Sequence, residues 1–180
     1  MNIKNTSVPC HMFKTQVDNH EGIKQEILNS IDSLGVHSVI NNGEKISNSD
    51  WQFKMEAEEF ASKKYIEIVL PKITIHNCKL QEQLGFIKQP EIQNIWFQQY
   101  VSGDFHDWHV HGRCMFSNVY YVELPKLSSK TMFRHFNQEF TVDIEEGEIL
   151  TFPSFFQHCS KPNNYLGKKT VISFNTNFYE

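Results

Sequence analysis

The segment 100–111 contains three histidines within six positions: His106, His109 and His111. His109 and His111 are separated by a single residue, and alternate side chains of an extended strand lie on one face of a sheet. The two imidazoles can therefore point at one bound ion. Neutral imidazole is the commonest protein ligand for a transition metal. The segment thus predicts a β-structure built around a metal.

A third ligand has to come from another part of the chain, and His158 is the best candidate. It follows segment 146–157, whose sequence predicts a turn, a buried strand and a bend. Two ligands on one strand and a third near the end of a later strand are typical of a metal held inside a small β-barrel or double-stranded β-helix. The alternative is a chance grouping, because the chain has nine histidines and His-x-His also occurs on strands without a metal.

The first half of the chain predicts mainly helices. Residues 21–34 have apolar side chains at helical spacing, whereas residues 36–50 are rich in Asn, Ser and Gly and predict a loop. A second helical region is predicted over about 50–84, with a break or kink at Pro71 because proline does not fit a helix interior. The face of this region expected to pack on a sheet consists of Phe60, Ile66, Leu70, Ile73 and Leu80.

The second half predicts about eight short strands. Together with the histidine segment they are expected over 92–101, 115–124, 131–136, 139–144, 148–152 and 168–178, and residues 12–18 can add one more strand. Helices followed by strands indicate an α+β fold, a double-stranded β-helix or jelly-roll-like barrel with N-terminal helices packed on the sheet. We expect a single domain over 1–180, with mainly helical support in 1–90 and the barrel in 91–180.

A series of motifs follows one order along the chain: Tyr100, Gly103, His109, His111, Tyr120-Tyr121, Gly147, Phe152-Pro153-Ser154, His158, Pro162, Gly167-Lys168-Lys169 and Thr-Val-Ile-Ser-Phe-Asn at 170–175. In this order and spacing, the motifs resemble prolyl-hydroxylase-like 2-oxoglutarate/Fe(II) oxygenases, which carry Tyr-x-x-Gly and His-x-Asp. The resemblance covers about residues 92–179. It is closest to a group of oxygenases found in phages and marine bacteria.

The chain departs from the family pattern at His111, which stands where the family has an aspartate. Three neutral ligands leave more net positive charge on the metal than two histidines and a carboxylate do. Three-histidine sites hold iron in other β-barrel oxygenases, and they also suit zinc. Asp104 and Asp107 are the alternative carboxylates, and Asp107 has the parity of His109 on a regular strand. The sequence leaves this choice open.

The resemblance implies Fe(II) and 2-oxoglutarate as cofactor and cosubstrate, with His109, His111 and His158 as the catalytic metal ligands. It also implies a cation at the start of the last strand, and Lys169 is the best candidate to anchor 2-oxoglutarate. Because Lys169 shares parity with Ser173, this face can look into the barrel. An ammonium is a point charge, so a hydroxyl has to assist it.

Tyr100 is the first candidate for that hydroxyl and Ser173 the second. Arg134 is a rival anchor for the cosubstrate, placed on a middle strand. Tyr120 and Tyr121 are adjacent in sequence, so only one of them can face the interior.

The function implied is that of a dioxygenase, most simply a hydroxylase, acting on a small-molecule or peptidyl substrate. Two alternatives stay open. One is a cupin-like metalloenzyme that uses the three histidines without 2-oxoglutarate, and the other is a binding module of the same fold without activity.

Composition restricts the binding partners and the cellular compartment that we expect for this protein. A net charge of −4 and a pI near 6.1 argue against nucleic-acid binding, and no apolar run approaches the length of a membrane span. The opening residues contain no apolar signal region, and the four cysteines include no Cys-x-x-Cys pair. We therefore expect a reducing, cytoplasmic location with free thiols.

Overall fold

The computed structural model describes residues 10–35, 38–41, 43–51, 63–136 and 138–179. These residues form two helices, α1 (His20–Ser33) and α2 (Lys64–Leu84). The strands of the N-terminal half are β1 (Phe13–Gln16), β2 (Ser38–Asn41) and β3 (Glu44–Ser49). The remaining strands are β4 (Glu91–Tyr100), β5 (His106–His109), β6 (Phe116–Glu123), β7 (Thr131–His135), β8 (Gln138–Thr141), β9 (Glu148–Pro153), β10 (Gln157–Ser160) and β11 (Lys169–Asn177).

The strands form two antiparallel sheets. The larger sheet has seven strands in the order β1-β9-β6-β11-β4-β3-β2, and the smaller has four in the order β5-β10-β7-β8. Strand β11 lies in the middle of the larger sheet, between β4 and β6. All nine of its residues are buried.

Two apolar cores lie on opposite faces of the larger sheet. On one face, residues of α1 and α2 such as Ile27 and Ile73 pack against Phe97, Ile172 and Phe174. On the other face, a second set fills the space between the two sheets: Tyr100, Val119, Tyr121, Phe133, Ile144, Leu150, Phe152, Phe156 and Val171. The helices therefore cover one side of the sheet and leave its other side to the smaller sheet, as the α+β prediction expects.

Two buried polar groups attach α2 to the larger sheet. Asp50 accepts hydrogen bonds from the Tyr65 hydroxyl at 2.5 Å and the Phe97 amide at 2.9 Å, and it pairs with Lys63 at 2.9 Å. His76 lies between the hydroxyls of Thr15 and Thr151. Buried polar groups with partners of this kind are structural, so His76 is a structural residue and not a ligand of the histidine cluster.

The predicted loop over 36–50 is wrong where the structure describes it. Strands β2 and β3 form an antiparallel hairpin, and β3 continues the larger sheet by pairing Asn48 with Gln99 of β4. Asn, Ser and Gly have low intrinsic strand preference, so composition favoured a loop, but pairing with an existing sheet edge decides the structure. Gly43 has φ of +83°, a value that glycine adopts without steric cost, at the turn of the hairpin.

The expected break at Pro71 is absent, because α2 is continuous from Lys64 to Leu84. Proline removes a donor to the carbonyl of the residue four positions earlier, here Glu67. Pro71 and Glu67 both lie on the exposed face of α2, where water can satisfy that carbonyl. Leu70 is also exposed, so its predicted place in the core is wrong, and Phe60 lies outside the described residues.

The other predicted elements are found close to their expected bounds. Helix α1 and strands β4, β6, β9 and β11 match, and β1 pairs with β9 along its full length. The strands expected over 131–136 and 139–144 correspond to β7 and β8, which pair antiparallel, and Asn137 lies outside the described residues. The N-terminal half contributes three strands to the larger sheet besides its helices. Neither described helix is long and apolar enough to cross a membrane.

We predict that Ile73→Ala lowers the free energy of unfolding by about 2–5 kcal/mol, because it leaves a cavity between α2 and the sheet. Ile73 is 0% exposed, whereas Ile75 on the same helix is 46% exposed. Ile75→Ala is the matched control and should change stability by less than about 0.5 kcal/mol. Urea denaturation measures both, and equal losses in the two variants would contradict this packing.

Candidate metal centre

The three predicted ligands meet between β5 and β10. His109 is the cross-strand partner of His158, and the His111 amide donates to the Ser154 carbonyl at 3.1 Å. The ring of His158 lies 4.2 Å from that of His109 and 5.1 Å from that of His111. One ring nitrogen from each of the three lies within 4.8 Å of the others. This separation allows all three to bind one ion at about 2.0–2.1 Å, the usual metal–imidazole distance.

Each of the three imidazoles has an oxygen acceptor at Nδ1. His109 Nδ1 donates to the Asp107 carbonyl at 2.7 Å, and His158 Nδ1 donates to the Phe156 carbonyl at 3.0 Å. His111 Nδ1 donates to the side-chain oxygen of Asn175 at 2.8 Å. Hydrogen bonds of this kind fix the tautomer and orientation of metal-binding histidines. All three rings are therefore left with an Nε2 lone pair as ligand.

Burial keeps the three imidazoles neutral. It lowers the pKa of His158 to about 3, with a further decrease from the neighbouring histidines. Burial also lowers the pKa of His109 and His111, and the hydrogen bonds to Asp107 and Asn175 oppose this decrease. A neutral imidazole is the form that binds a metal, so these rings need lose no proton at neutral pH.

The two alternative carboxylates lie elsewhere. Asp104 is buried, accepts a hydrogen bond from the Val101 amide at 3.0 Å and pairs with Lys45 at 3.0 Å. Asp107 is exposed, and it contacts His109 through its backbone carbonyl. Neither joins the described His/Cys/Asp/Glu group that contains His109.

A bulge in β5 explains both the position of Asp107 and that of a fourth histidine. His109 pairs with His158 and His106 pairs with Ser160, so three steps on β5 oppose two on β10. The extra residue reverses the alternation. His106 therefore faces the same side as His109, and its ring stacks at 4.0 Å. Parity counting on a regular strand placed Asp107 inward and missed this role of His106.

A cavity of about 500 Å³ lies in front of the histidine cluster. The predicted shared face of Lys169 and Ser173 looks into this cavity. Side chains of β4 and β11 that line the cavity are Asn94, Trp96, Gln98, Tyr100, Lys169, Val171, Ser173 and Asn175. The four clustered histidines also line the cavity: His106, His109, His111 and His158. Asn118 of β6 faces the helices, where its side chain donates to the Thr176 hydroxyl and accepts from Thr151, the partner of His76.

Lys169 is the buried cation of this cavity, with 2% of its surface exposed. Its ammonium donates to the Ser129 carbonyl at 2.9 Å and to the Ser160 hydroxyl at 2.6 Å, and lies 4.3 Å from the centre of the Tyr100 ring. Within the described chain, no carboxylate forms an ion pair with it. Burial lowers its pKa to about 7.

The residues predicted to assist Lys169 line the cavity, whereas the alternative anchor, Arg134, does not. Tyr100 and Ser173 lie with Lys169 in the cavity, and burial raises the pKa of the Tyr100 hydroxyl. Arg134 does not line the cavity, because it pairs with Glu139 and stacks 4.1 Å over the Trp108 ring. Lys168 points away from the cavity and pairs with Asp32 at 3.1 Å.

The two adjacent tyrosines point to opposite faces, as predicted. Tyr121 belongs to the core between the sheets and shares a hydrogen bond with Thr131 at 2.7 Å. Tyr120 belongs to the core under the helices, where its hydroxyl lies 2.7 Å from His20 Nδ1.

A second group of possible ligands, His20, Glu21 and Glu146, also converges. The ammonium of Lys24 forms a short ion pair with Glu146, whose second oxygen accepts the Leu124 amide. A lysine therefore already supplies the positive charge of this group.

No protein-family model matches the sequence, and no curated protein matches it. The structure is similar to that of a Pseudomonas putida prolyl-4-hydroxylase, with 15% identity, 94% of each chain covered and a TM-score of 0.59. It is also similar to SnoN, a non-haem α-ketoglutarate-dependent epimerase from nogalamycin biosynthesis, with 9% identity, 94% of this chain and 79% of SnoN covered, and a TM-score of 0.69.

A third similar structure is a Trichoplax adhaerens prolyl hydroxylase in complex with a peptide fragment of the hypoxia-inducible factor oxygen degradation domain. It has 14% identity and a TM-score of 0.57, and the match covers 93% of this chain and 83% of that one. These likenesses show that the chain has the fold of solved 2-oxoglutarate/Fe(II) oxygenases, as the predicted resemblance expects. That family uses Fe(II) and 2-oxoglutarate, and the described residues contain a candidate three-histidine site. The likeness to the phage and marine-bacterial group stays a prediction.

We predict that Lys169→Met stabilises the chelator-treated protein at neutral pH and that this advantage shrinks as the pH rises. Burial depresses the pKa of Lys169 from 10.5 to about 7. Between these values the unfolded chain binds the extra proton, so wild-type stability should rise by about 1.4 kcal/mol per pH unit relative to the variant. Urea denaturation at several pH values from 6 to about 10 measures the difference, and a constant difference would contradict the prediction.

Proposed function

We propose that this protein is a non-haem iron dioxygenase that depends on 2-oxoglutarate, with hydroxylation as its reaction. The observation that carries the proposal is the combination within one cavity of three neutral imidazoles and a buried lysine that forms no ion pair with a carboxylate of the described residues. The three imidazoles suit a metal cation, and the lysine suits a bound anion. A bidentate anionic cosubstrate that reaches from a metal to a cation satisfies both.

His109, His111 and His158 would hold Fe(II) through Nε2. A metal with a triad of protein ligands on one side keeps positions open for other ligands. Bound Fe(II) would supply the O₂ chemistry that no amino-acid side chain provides. Having three neutral donors, this triad would leave the full charge of the ion for anionic ligands to balance.

Lys169 would hold the distal carboxylate of 2-oxoglutarate. Burying an ammonium without a counter-ion is costly, and a carboxylate beside Lys169 would remove that cost. The Ser160 hydroxyl lies 2.6 Å from the ammonium, and it is a further candidate helper besides Tyr100 and Ser173, which line the same cavity. Sequence parity did not single it out, because Ser160 lies on the smaller sheet.

We also propose that the two facing sheets form a double-stranded β-helix, with the cavity at its open end. The solved structures of similar fold support this description. In this arrangement the metal ligands come from the smaller sheet and its continuation, and the cation comes from the larger sheet.

The mouth of the cavity supports a substrate with an uncharged, apolar surface. Three half-exposed apolar side chains from separate segments line it: Ile40, Trp51 and Val110. Apart from histidines, Lys169 is the one charged side chain among the cavity's described lining. A small molecule and a peptidyl group both fit this description, and the peptide complex of the Trichoplax enzyme favours the latter.

The second candidate function is a three-histidine metalloenzyme that does not use 2-oxoglutarate. The observation that favours it is the absence of a carboxylate from the described cluster, because three imidazoles also suit zinc. A cytoplasmic location and the absence of nucleic-acid or membrane partners stay predictions from the sequence.

We predict slow conversion of 2-oxoglutarate to succinate by the purified protein with Fe(II) and O₂, even without its substrate. His158→Ala should reduce succinate release to background, because two ligands cannot hold the ion in this geometry. His11→Ala, at an exposed histidine outside the cavity, should leave the rate unchanged. Restoring the family's carboxylate with His111→Asp should retain iron binding. Tight zinc binding without succinate release would favour the second candidate.

We predict that Lys169→Ala weakens 2-oxoglutarate binding at least about tenfold at pH 7, because it removes a charge-assisted hydrogen bond. Lys168→Ala and Arg134→Ala, which remove cations outside the cavity, should change affinity less than about twofold. Since the pKa of Lys169 is about 7 before the anion binds, wild-type affinity should fall by roughly tenfold per pH unit above that value. Isothermal titration calorimetry measures both effects. If Arg134→Ala instead weakened 2-oxoglutarate binding about tenfold and Lys169→Ala left it unchanged, the anchor would be Arg134 on β7.

A further inference from the structure

The three cluster histidines differ in what holds their Nδ1 protons. Backbone carbonyls accept from His109 and His158, both through the residue two positions earlier. A side chain from another strand, Asn175 of β11, accepts from His111. The orientation of His111 thus depends on a residue that is 64 positions away in sequence.

His111 is placed differently from the other two histidines. It lies two residues beyond the end of β5, where the ladder with β10 has stopped, and its backbone is held by the bond from its amide to the Ser154 carbonyl. Its ring is half-buried against Trp96 at 5.6 Å. Asn175 is 4% exposed and is held in the middle of the larger sheet between Asn94 and Ser117. A buried acceptor on another strand therefore orients the His111 ring.

We propose that Asn175 is the positioning residue that allows a histidine to serve as metal ligand at position 111. This proposal rests on the metal site of the proposed function. A carboxylate at position 111 needs no proton acceptor behind it, whereas a metal-binding imidazole almost always donates its other ring N–H to an acceptor that fixes its tautomer and orientation. Asn175 supplies that acceptor without adding a negative charge.

The amide at position 175 also sets the charge of the site. An aspartate there would place a carboxylate behind His111 and make the imidazole more basic. With the amide there, the described group of possible metal ligands around His111 contains no carboxylate, so the ion's charge remains available to an anionic ligand. Position 111 and position 175 are therefore expected to act as a pair.

Co²⁺ affinity, measured by competition with a chromophoric chelator, tests this pairing. Asn175→Leu should weaken Co²⁺ binding by about 10- to 100-fold, the usual cost of losing such a partner, and should alter the visible absorption of the bound ion. Asn175→Asp should keep or increase the affinity. Asn94→Leu, the same change on the cross-strand neighbour, should alter affinity less than about threefold, because Asn94 forms no hydrogen bond with a cluster histidine in the described chain.

The decisive comparison is made in the His111→Asp background. There, Asn175→Leu should cost less than about threefold in Co²⁺ affinity, because no Nδ1 proton remains to be accepted. An equal loss in both backgrounds, or no loss in either, would overturn the proposal. If Asn175→Leu does not fold, Asn175→Asp still decides, because reduced Co²⁺ binding would mean that residue 175 donates to His111.

A measurement without metal completes the test. Nitrogen NMR of the chelator-treated protein should show His111 protonated at Nδ1 in the wild type and in Asn175→Asp, and a changed tautomer population in Asn175→Leu. The same tautomer in all three proteins would overturn the role of Asn175. If the wild-type protein bound Co²⁺ but released no succinate, the proposed function would be rejected, whereas the pairing of His111 with Asn175 would stand. A wild type that binds no Co²⁺ would reject both.

Discussion

The pairing of β11 with β4 and β6 is the constraint on which the rest of the structure depends. Because every residue of β11 is buried, its two faces must serve two different environments. Ile172 and Phe174 pack under the helices, whereas Lys169, Ser173 and Asn175 face the cavity. A slip of one residue would exchange the two sets. The register that builds the apolar core therefore also positions the cation and the partner of His111.

Alternation made much of this predictable from the sequence. Parity on β11 and β4 indicated which side chains share the interior face, and the position of His158 after a buried strand indicated that it could reach the His-x-His pair. Parity failed at β5, where a bulge brings in His106 and turns Asp107 out. A bulge depends on the partner strand, so no local pattern reveals it. The β2–β3 hairpin was missed for a related reason, since its residues form strands only because β4 offers them an edge.

The polar groups of the cavity follow one electrostatic arrangement. The described histidines at its centre are kept neutral by burial, and their Nδ1 acceptors are carbonyl and amide oxygens rather than carboxylates. The nearest acids are used elsewhere, as with Asp104 and Lys45. The lysine is likewise held by a carbonyl and a hydroxyl instead of an acid. The described residues that line this interior include no acid, so it favours an anion that arrives with the ligand.

The bulge in β5 has a consequence for how this segment can vary. Three steps of chain between His106 and His109 cover a distance that β10 spans in two. Removing one residue from this segment would leave two steps opposite two, so the strand would be regular and the two histidines would still share a face. Losing the bulge while keeping all the residues would instead place them on opposite faces, because residues three positions apart on a regular strand alternate. At its present length the segment therefore depends on the bulge to bring His106 beside His109, whereas a shorter segment would not need it.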